Sequence, residues 1–199
     1  MNLQKEEQGK KKRKTLISLF IVIVMVMSAA GFMMDYAFKE KLAYNGYKFD
    51  QTEQGFVTKL NGNKIAFNYY PTQLESINIS SEAMNEIKQA KMIGVSYDAS
   101  SYLVETMAQL QYYLDTSLPE LFGIFVQKGL INNASYDIAE LTCANATAAS
   151  PVIVFLETGE NETSEFSYKN SCLTFKASNE QELVMQTERL VYGISGIIN

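Results

Sequence analysis

Hydrophobic positions along the 199-residue chain fall into three regimes. From Thr15 to Met34 they run almost unbroken, 20 residues without a charge that read Leu-Ile-Ser-Leu-Phe-Ile-Val-Ile-Val-Met-Val-Met from Leu16. A helix of that length rises about 30 Å, the thickness of a bilayer's hydrocarbon core, and satisfies its own backbone where lipid cannot. The segment is therefore predicted to be a transmembrane helix. From Tyr44 to Tyr70 apolar and polar residues alternate, which predicts a β-meander over Tyr44–Phe49, Phe56–Leu60 and Lys64–Tyr70. Asn61-Gly62-Asn63 supplies a tight turn, Pro71 ends the third strand, and Ile65, Phe67 and Tyr69 share its core face.

Beyond Pro71 the period changes repeatedly. A helix is predicted from a cap at Ser80 or Ser81 to about Ala90, with Ala83, Met84 and Ile87 inward. Lys91–Tyr97 reads as a buried strand. Asp98-Ala99-Ser100-Ser101 then opens a helix whose Leu103, Met107, Leu110 and Leu114 form one stripe. Leu121–Val126 returns as a parallel strand, or else Leu118–Ile131 forms a short helix. Asn132–Ser150 is a polar loop. Strands follow at Val152–Glu157, Ser164–Tyr168 and Cys172–Lys176, then a helix over Gln181 to about Ile194 with Leu183, Thr187, Leu190, Val191 and Ile194 on one side. The expected architecture is an N-terminal transmembrane helix plus one α/β or α+β domain with an N-terminal meander and a C-terminal helix. Its segments are a tail over 1–14, the span over 15–34, a stalk over 35–43 and the domain over 44–199.

Charge orients this layout. The tail carries six basic residues, five of them consecutive at Lys10–Lys14, against Glu6 and Glu7. Only Lys39, Lys41 and Lys48 follow in the 15 residues after the span. The positive-inside bias places the tail in the cytoplasm and the domain outside, with the bilayer as first partner. A cleaved signal peptide is the rival, since Ser28-Ala29-Ala30 could be a processing site, although apolar sequence continues through Gly31–Met34. Residues 35–199 hold 11 Lys and Arg against 20 Asp and Glu, a net of −9, which argues against nucleic acid as a partner.

Histidine is absent from the whole chain. Ser-His-Asp and Cys-His catalysis, histidine-ligated zinc and histidine switches are thereby excluded. Carboxylate chemistry, a Ser-Lys pair or an oxygen-ligand metal site stay open. The pattern calls for no cofactor and assigns no catalytic residue. Cys143 and Cys172 are too few and too far apart for a zinc or CxxC centre. In an oxidising compartment they are expected to form a disulfide that folds the polar loop back onto the strand beginning at Cys172.

Four sequons, at Asn78, Asn133, Asn145 and Asn161, are candidate N-glycosylation acceptors. Glu157, Glu160, Glu162 and Glu165 surround a turn without the Asp and Gly spacing of a calcium loop, and read as a solvated acidic turn. Asp98 stands where α/β folds place functional groups, at a strand end beside a helix start, and helix capping explains it equally well. Tyr69-Tyr70 and Tyr112-Tyr113 could line a contact, or fill the core and its rim in a chain without tryptophan.

Thr142-Cys143-Ala144-Asn145-Ala146-Thr147, Pro151-Val152-Ile153, Asn170-Ser171-Cys172 and Leu190-Val191-Tyr192-Gly193 with Gly196-Ile197-Ile198 resemble a family of uncharacterised, N-terminally anchored archaeal membrane proteins. The resemblance covers about 60 residues of the C-terminal half. It implies an archaeal cell-surface protein with a structural disulfide, and carries no activity. The function expected is a membrane-anchored extracytoplasmic structural or interaction module with a protein partner, such as a subunit of an envelope assembly. The alternative is an extracytoplasmic hydrolase with two carboxyls about 5–10 Å apart in a cleft.

Overall fold

The computed structural model describes residues 18–28, 42–132, 136–159 and 164–198. The chain divides into two compact units, 1–41 and 42–199. In the first, residues 18–28 form helix α1, in which nine consecutive apolar side chains, Leu19–Met27, are 48–70% exposed. Among the described residues no helix is long and apolar enough to cross a membrane. Helix α1 is the middle of the predicted span. The rest of that span, the basic tail and the stalk as far as residue 41 lie outside the described residues.

The second unit is an α/β domain with two sheets. Strands β1 (Leu42–Tyr44), β2 (Tyr47–Thr52), β3 (Gly55–Leu60) and β4 (Asn63–Phe67) form an antiparallel meander. After helix α2 (Ser81–Gln89), the chain lays down β5 (Met92–Tyr97), α3 (Val104–Phe122), β6 (Phe125–Leu130), β7 (Val152–Glu157), β8 (Glu165–Lys169), β9 (Cys172–Ala177) and α4 (Glu180–Ser195). The second sheet runs β6-β5-β7-β9-β8, parallel except for β8 at its edge.

Helices α2, α3 and α4 lie between the two sheets. Phe49, Leu60, Ile65 and Phe67 of the meander, Ile93, Val95, Ile153, Phe155, Leu173 and Phe175 of the mixed sheet, and the apolar faces of α2, α3 and α4 form one core. The predicted α3 stripe, Leu103, Met107, Leu110 and Leu114, is buried in it. Phe67 stacks on Tyr192 of α4 with ring centroids 4.0 Å apart. Helix α4 is enclosed nearly all round, with Gln186 through Ile194 buried without a break. A one-sided stripe predicts an exposed back for this helix. A sheet on either side removes it.

The far face of the mixed sheet is covered by residues 136–151 of the β6–β7 connection. Leu141 packs on Val152, Val154 and Cys172. A Cβ at Gly94 or Gly129 would come within 2.6 or 2.4 Å of the Leu141 side chain, so both strands carry glycine where the loop presses on them. Cys143 is bonded to Cys172 with Cα atoms 5.3 Å apart, which brings the loop back over β9. In the chain-entropy model a closed loop of 29 residues stabilises by about 3–4 kcal/mol.

Three predicted elements differ from those observed. Tyr44–Phe49 is not one strand. Asn45 and Gly46, at φ of 46° and 83°, make a tight turn between β1 and β2. The predicted strand to Tyr70 ends at Phe67, because the backbone N–H groups of Asn68 and Tyr69 turn to Glu188. Over 118–131 both alternatives hold in part: α3 continues to Phe122, Gly123 ends it in the left-handed conformation, and β6 then pairs parallel to β5.

Candidate functional site

The connections leaving β5 and β7 diverge, through α3 to β6 on one side and through β8 to β9 on the other. In open parallel sheets ligands favour such a point, at the carboxyl ends of the strands. Here that edge is occupied by its own hydrogen bonds. Asp98 Oδ1 accepts from the Ser100 N–H at 2.9 Å and its hydroxyl at 2.7 Å. Ser101 Oγ donates to Glu157 and accepts from the Leu103 N–H at 3.0 Å, while the Tyr102 N–H donates to the same Glu157 oxygen at 3.1 Å. Asp98 thus shapes the turn, and Glu157 puts the negative charge at the start of α3. Glu157 is exposed, as expected of a solvated acidic residue, and is fastened by these hydrogen bonds as well. Glu165 is exposed on β8, and Glu160 and Glu162 lie outside the described residues. Among the described residues no three His, Cys, Asp or Glu side chains are placed to hold a metal.

Two charged residues that periodicity assigned to no site are buried on α4. Glu188 Oε1 accepts from the Asn68 N–H and Nδ2, both at 2.7 Å, and Oε2 accepts from the Tyr69 N–H at 3.0 Å. Burial raises its pKa above the ordinary value, and the three donors oppose the rise without cancelling it. Arg189 Nε donates to the Ile77 carbonyl at 2.9 Å, and burial lowers the pKa of its guanidinium. Tyr192 Oη donates to the Tyr69 carbonyl at 2.8 Å, so the backbone at residues 68, 69 and 77 is fastened to this one helix.

Two clefts lie on either side of the Ile77-Asn78 segment. One, of about 560 Å³, is walled by Ser80, Met84 and Lys88 of α2 and its cap, and by Arg189 and Gly193 of α4. The other, of about 350 Å³, lies between that segment, Ser164–Phe166 and the start of α4. Glu182, Met185 and Gln186 form its α4 wall. Asn179 caps α4 by accepting from the Glu182 N–H at 3.0 Å. In return Ser164 Oγ, Ser178 Oγ and the Ser178 N–H all donate to Glu182 Oε2. These hydrogen bonds, led by that from Ser164, hold the Glu182 pKa below the ordinary value, so the carboxylate is charged. The sequence does signal this device, as Asn followed three residues later by Glu. It does not signal that Ser164 and Phe166 of the β8 strand arrive beside it.

The remaining candidates separate. Asn78 is exposed and lines both clefts. Asn145 is exposed, with Oδ1 accepting from the Thr142 N–H at 2.8 Å. Asn133 and Asn161 lie outside the described residues. Of the paired tyrosines, Tyr70 packs edge-on against Phe49 and Tyr113 is partly buried against the core, while Tyr112 is 65% exposed. No protein-family model, no curated protein and no solved structure matches the chain.

Proposed function

We propose that this protein is a binding module anchored by one membrane helix, with residues 42–199 outside the cytoplasm. The observation that carries the reading is α1, whose apolar side chains from Leu19 to Met27 are exposed on every side. Nine such residues in water would form an apolar surface far beyond what a soluble chain tolerates, and lipid is the solvent that suits them. The uncharged sequence on both flanks and the Lys10–Lys14 run support the same arrangement and its orientation. The Cys143–Cys172 bond suits an oxidising compartment.

Binding is favoured over hydrolysis by the state of the carboxyls. A glycosidase pair needs one carboxyl with a raised pKa to protonate the leaving group. Glu182, in the 350 Å³ cleft, is held low. Glu188 is raised, but both its oxygens are committed to Asn68 and Tyr69 beneath the meander. The test is topological. Protease added to intact cells should remove the domain and spare a tag at the N-terminus, with the anchor retained as peptides preceding Ser28. Loss of the tag would reverse the orientation, and a mature N-terminus near Gly31 would make the domain a released one.

A further inference from the structure

The meander has a second face, turned away from the core. Phe49, Thr58 and Ile65 stand opposite one another across β2, β3 and β4 and are buried. Side chains alternate along a strand, so Lys48, Asp50, Val57, Lys59, Lys64 and Ala66 lie on the outer side, where all but Val57 are exposed. Lys59 stands opposite Lys64 in the β3–β4 ladder, and Lys48 stands opposite Ala43 in the β1–β2 ladder. One step beyond the Phe49–Thr58 pair, the register sets Lys48 beside Lys59. A row of three lysines thus crosses β2, β3 and β4, and Asp50 is the one acidic side chain that the four strands place on this face.

No ion pair among the described residues involves any of the three. Like charges directly opposite in a sheet are unfavourable, and lysine is a poor strand former. Guarding an edge would account for Lys64 on the outermost strand, but β2 and β3 are interior strands of the meander. Packing therefore gives no reason for the row. Charge along the chain gives one. Residues 35–64 hold five basic and four acidic residues, a net of +1, whereas residues 65–199 hold six and 16, a net of −10. The positive charge of an acidic domain is gathered where its folded part begins, seven residues (35–41) after the predicted span. Seven extended residues reach at most about 25 Å.

On the anchored reading, on which this rests, we propose that the outer face of the meander docks on the anionic headgroup surface of the bilayer that holds the anchor. Each lysine close to an anionic membrane favours the docked state by about fivefold, and the three less Asp50 by about 30-fold. Because the connection is short, docking is intramolecular, and a weak attraction suffices. The acidic remainder of the domain, repelled by the same surface, favours this orientation over its reverse.

The chain has no tryptophan, so one introduced residue reports alone. Ala66→Trp places it on the lysine face. Phe125→Trp places it on the far face of the mixed sheet, since Phe125 is 64% exposed and shares a side of β6 with Gly129. Each full-length variant is reconstituted into vesicles of phosphatidylcholine, with or without about one third phosphatidylglycerol, that carry a nitroxide quencher on some headgroups. The docked-to-free ratio read from Ala66→Trp quenching should rise by about 30-fold between neutral and anionic vesicles. Salt of about 1 M, with a screening length of about 3 Å, should abolish the rise. Lys48→Gln, Lys59→Gln and Lys64→Gln together should abolish it as well, and the Phe125→Trp emission should stay unquenched throughout. Equal quenching of Ala66→Trp in neutral and anionic vesicles would overturn the proposal and leave the row to an acidic protein surface. Stronger quenching of Phe125→Trp than of Ala66→Trp in anionic vesicles would overturn it by reversing the face. Flotation separates the two readings. Protein that fails to float with neutral vesicles overturns the anchored reading and this one together, whereas protein that floats without charge-dependent quenching overturns this one alone. The comparison of the two lipids uses protein with all three lysines, so it stands even if the triple variant fails to fold.

Discussion

Replacing Glu188 tests the central packing of the domain. Glu188→Ala would leave three donors, the Asn68 N–H and Nδ2 and the Tyr69 N–H, without their acceptor beneath the meander. Hydrogen bonds to a charged group are worth about 1.5–3 kcal/mol each. Asn68 is exposed, so its amide side chain can turn to water, which leaves the two backbone groups as the main loss. Burying the carboxylate costs free energy that the alanine variant no longer incurs. Together these give an expected loss of about 3–5 kcal/mol, or roughly 10 °C in Tm for a domain of this size. Glu188→Gln keeps one oxygen for the two Asn68 donors but sets an N–H₂ against the Tyr69 N–H, and should cost about 1–2 kcal/mol. Urea unfolding in detergent followed by far-ultraviolet circular dichroism measures both. The pH dependence has a definite sign. Because burial raises the Glu188 pKa, the native state holds that proton more tightly than the unfolded chain does. The associated stability is fully present below the ordinary value of 4.5 and is lost as pH rises through the folded value. The wild type should therefore gain stability relative to Glu188→Gln as pH falls from 7 toward 4.5, while other carboxylates, common to both proteins, cancel. A Glu188→Ala midpoint indistinguishable from wild type would refute the claim that this carboxylate joins the meander to α4.

Three further outcomes follow from other parts of the fold. Cys143→Ser should lower stability by about 3–4 kcal/mol, with hydrogen exchange accelerating first in the Leu141–Ser150 segment; non-reducing peptide mapping of the wild type should show the Cys143–Cys172 peptide pair. Ser171, at φ of 62°, is a non-glycine residue in the left-handed region, so Ser171→Gly should raise stability by about 1 kcal/mol in thermal melts. Gly94→Ala should cost about 1–3 kcal/mol by driving a methyl into Leu141 Cδ2, and in a double-mutant cycle Leu141→Ala, which removes that atom, should return part of that loss.

How much of this was legible in the sequence depended on what each residue has on its other side. The α3 stripe and the inward residues of α2 could be read because those helices bury one face, so period and burial agree. Helix α4 breaks that rule. Gln186, Glu188 and Arg189 lie off its apolar stripe, and they are buried against other segments, Gln186 on the Lys176 carbonyl, Glu188 on residues 68 and 69 at the end of the meander, and Arg189 on the Ile77 carbonyl. No pattern within 16 residues records a layer contributed from more than a hundred positions upstream. Asn45-Gly46 was a local signal for a turn, hidden inside a run of aromatics that reads as one strand. The 350 Å³ cleft was the least visible feature, since its walls come from three separated segments.

The position of α4 between the sheets also bears on the order of assembly. Every strand of both sheets precedes α4 in the chain, yet neither sheet can close its inner face before that helix arrives. Phe49 and Phe67 wait for Tyr192, and the amides that end β4 wait for Glu188. The parallel pairing of β5, β7 and β9 is non-local as well, which slows formation of the second sheet. A growing chain of this sequence therefore stays open and threadable until about residue 192 has emerged. On the anchored reading proposed above, that is the state in which the domain would be passed across the bilayer before it folds, its two thiols meeting an oxidant on the far side.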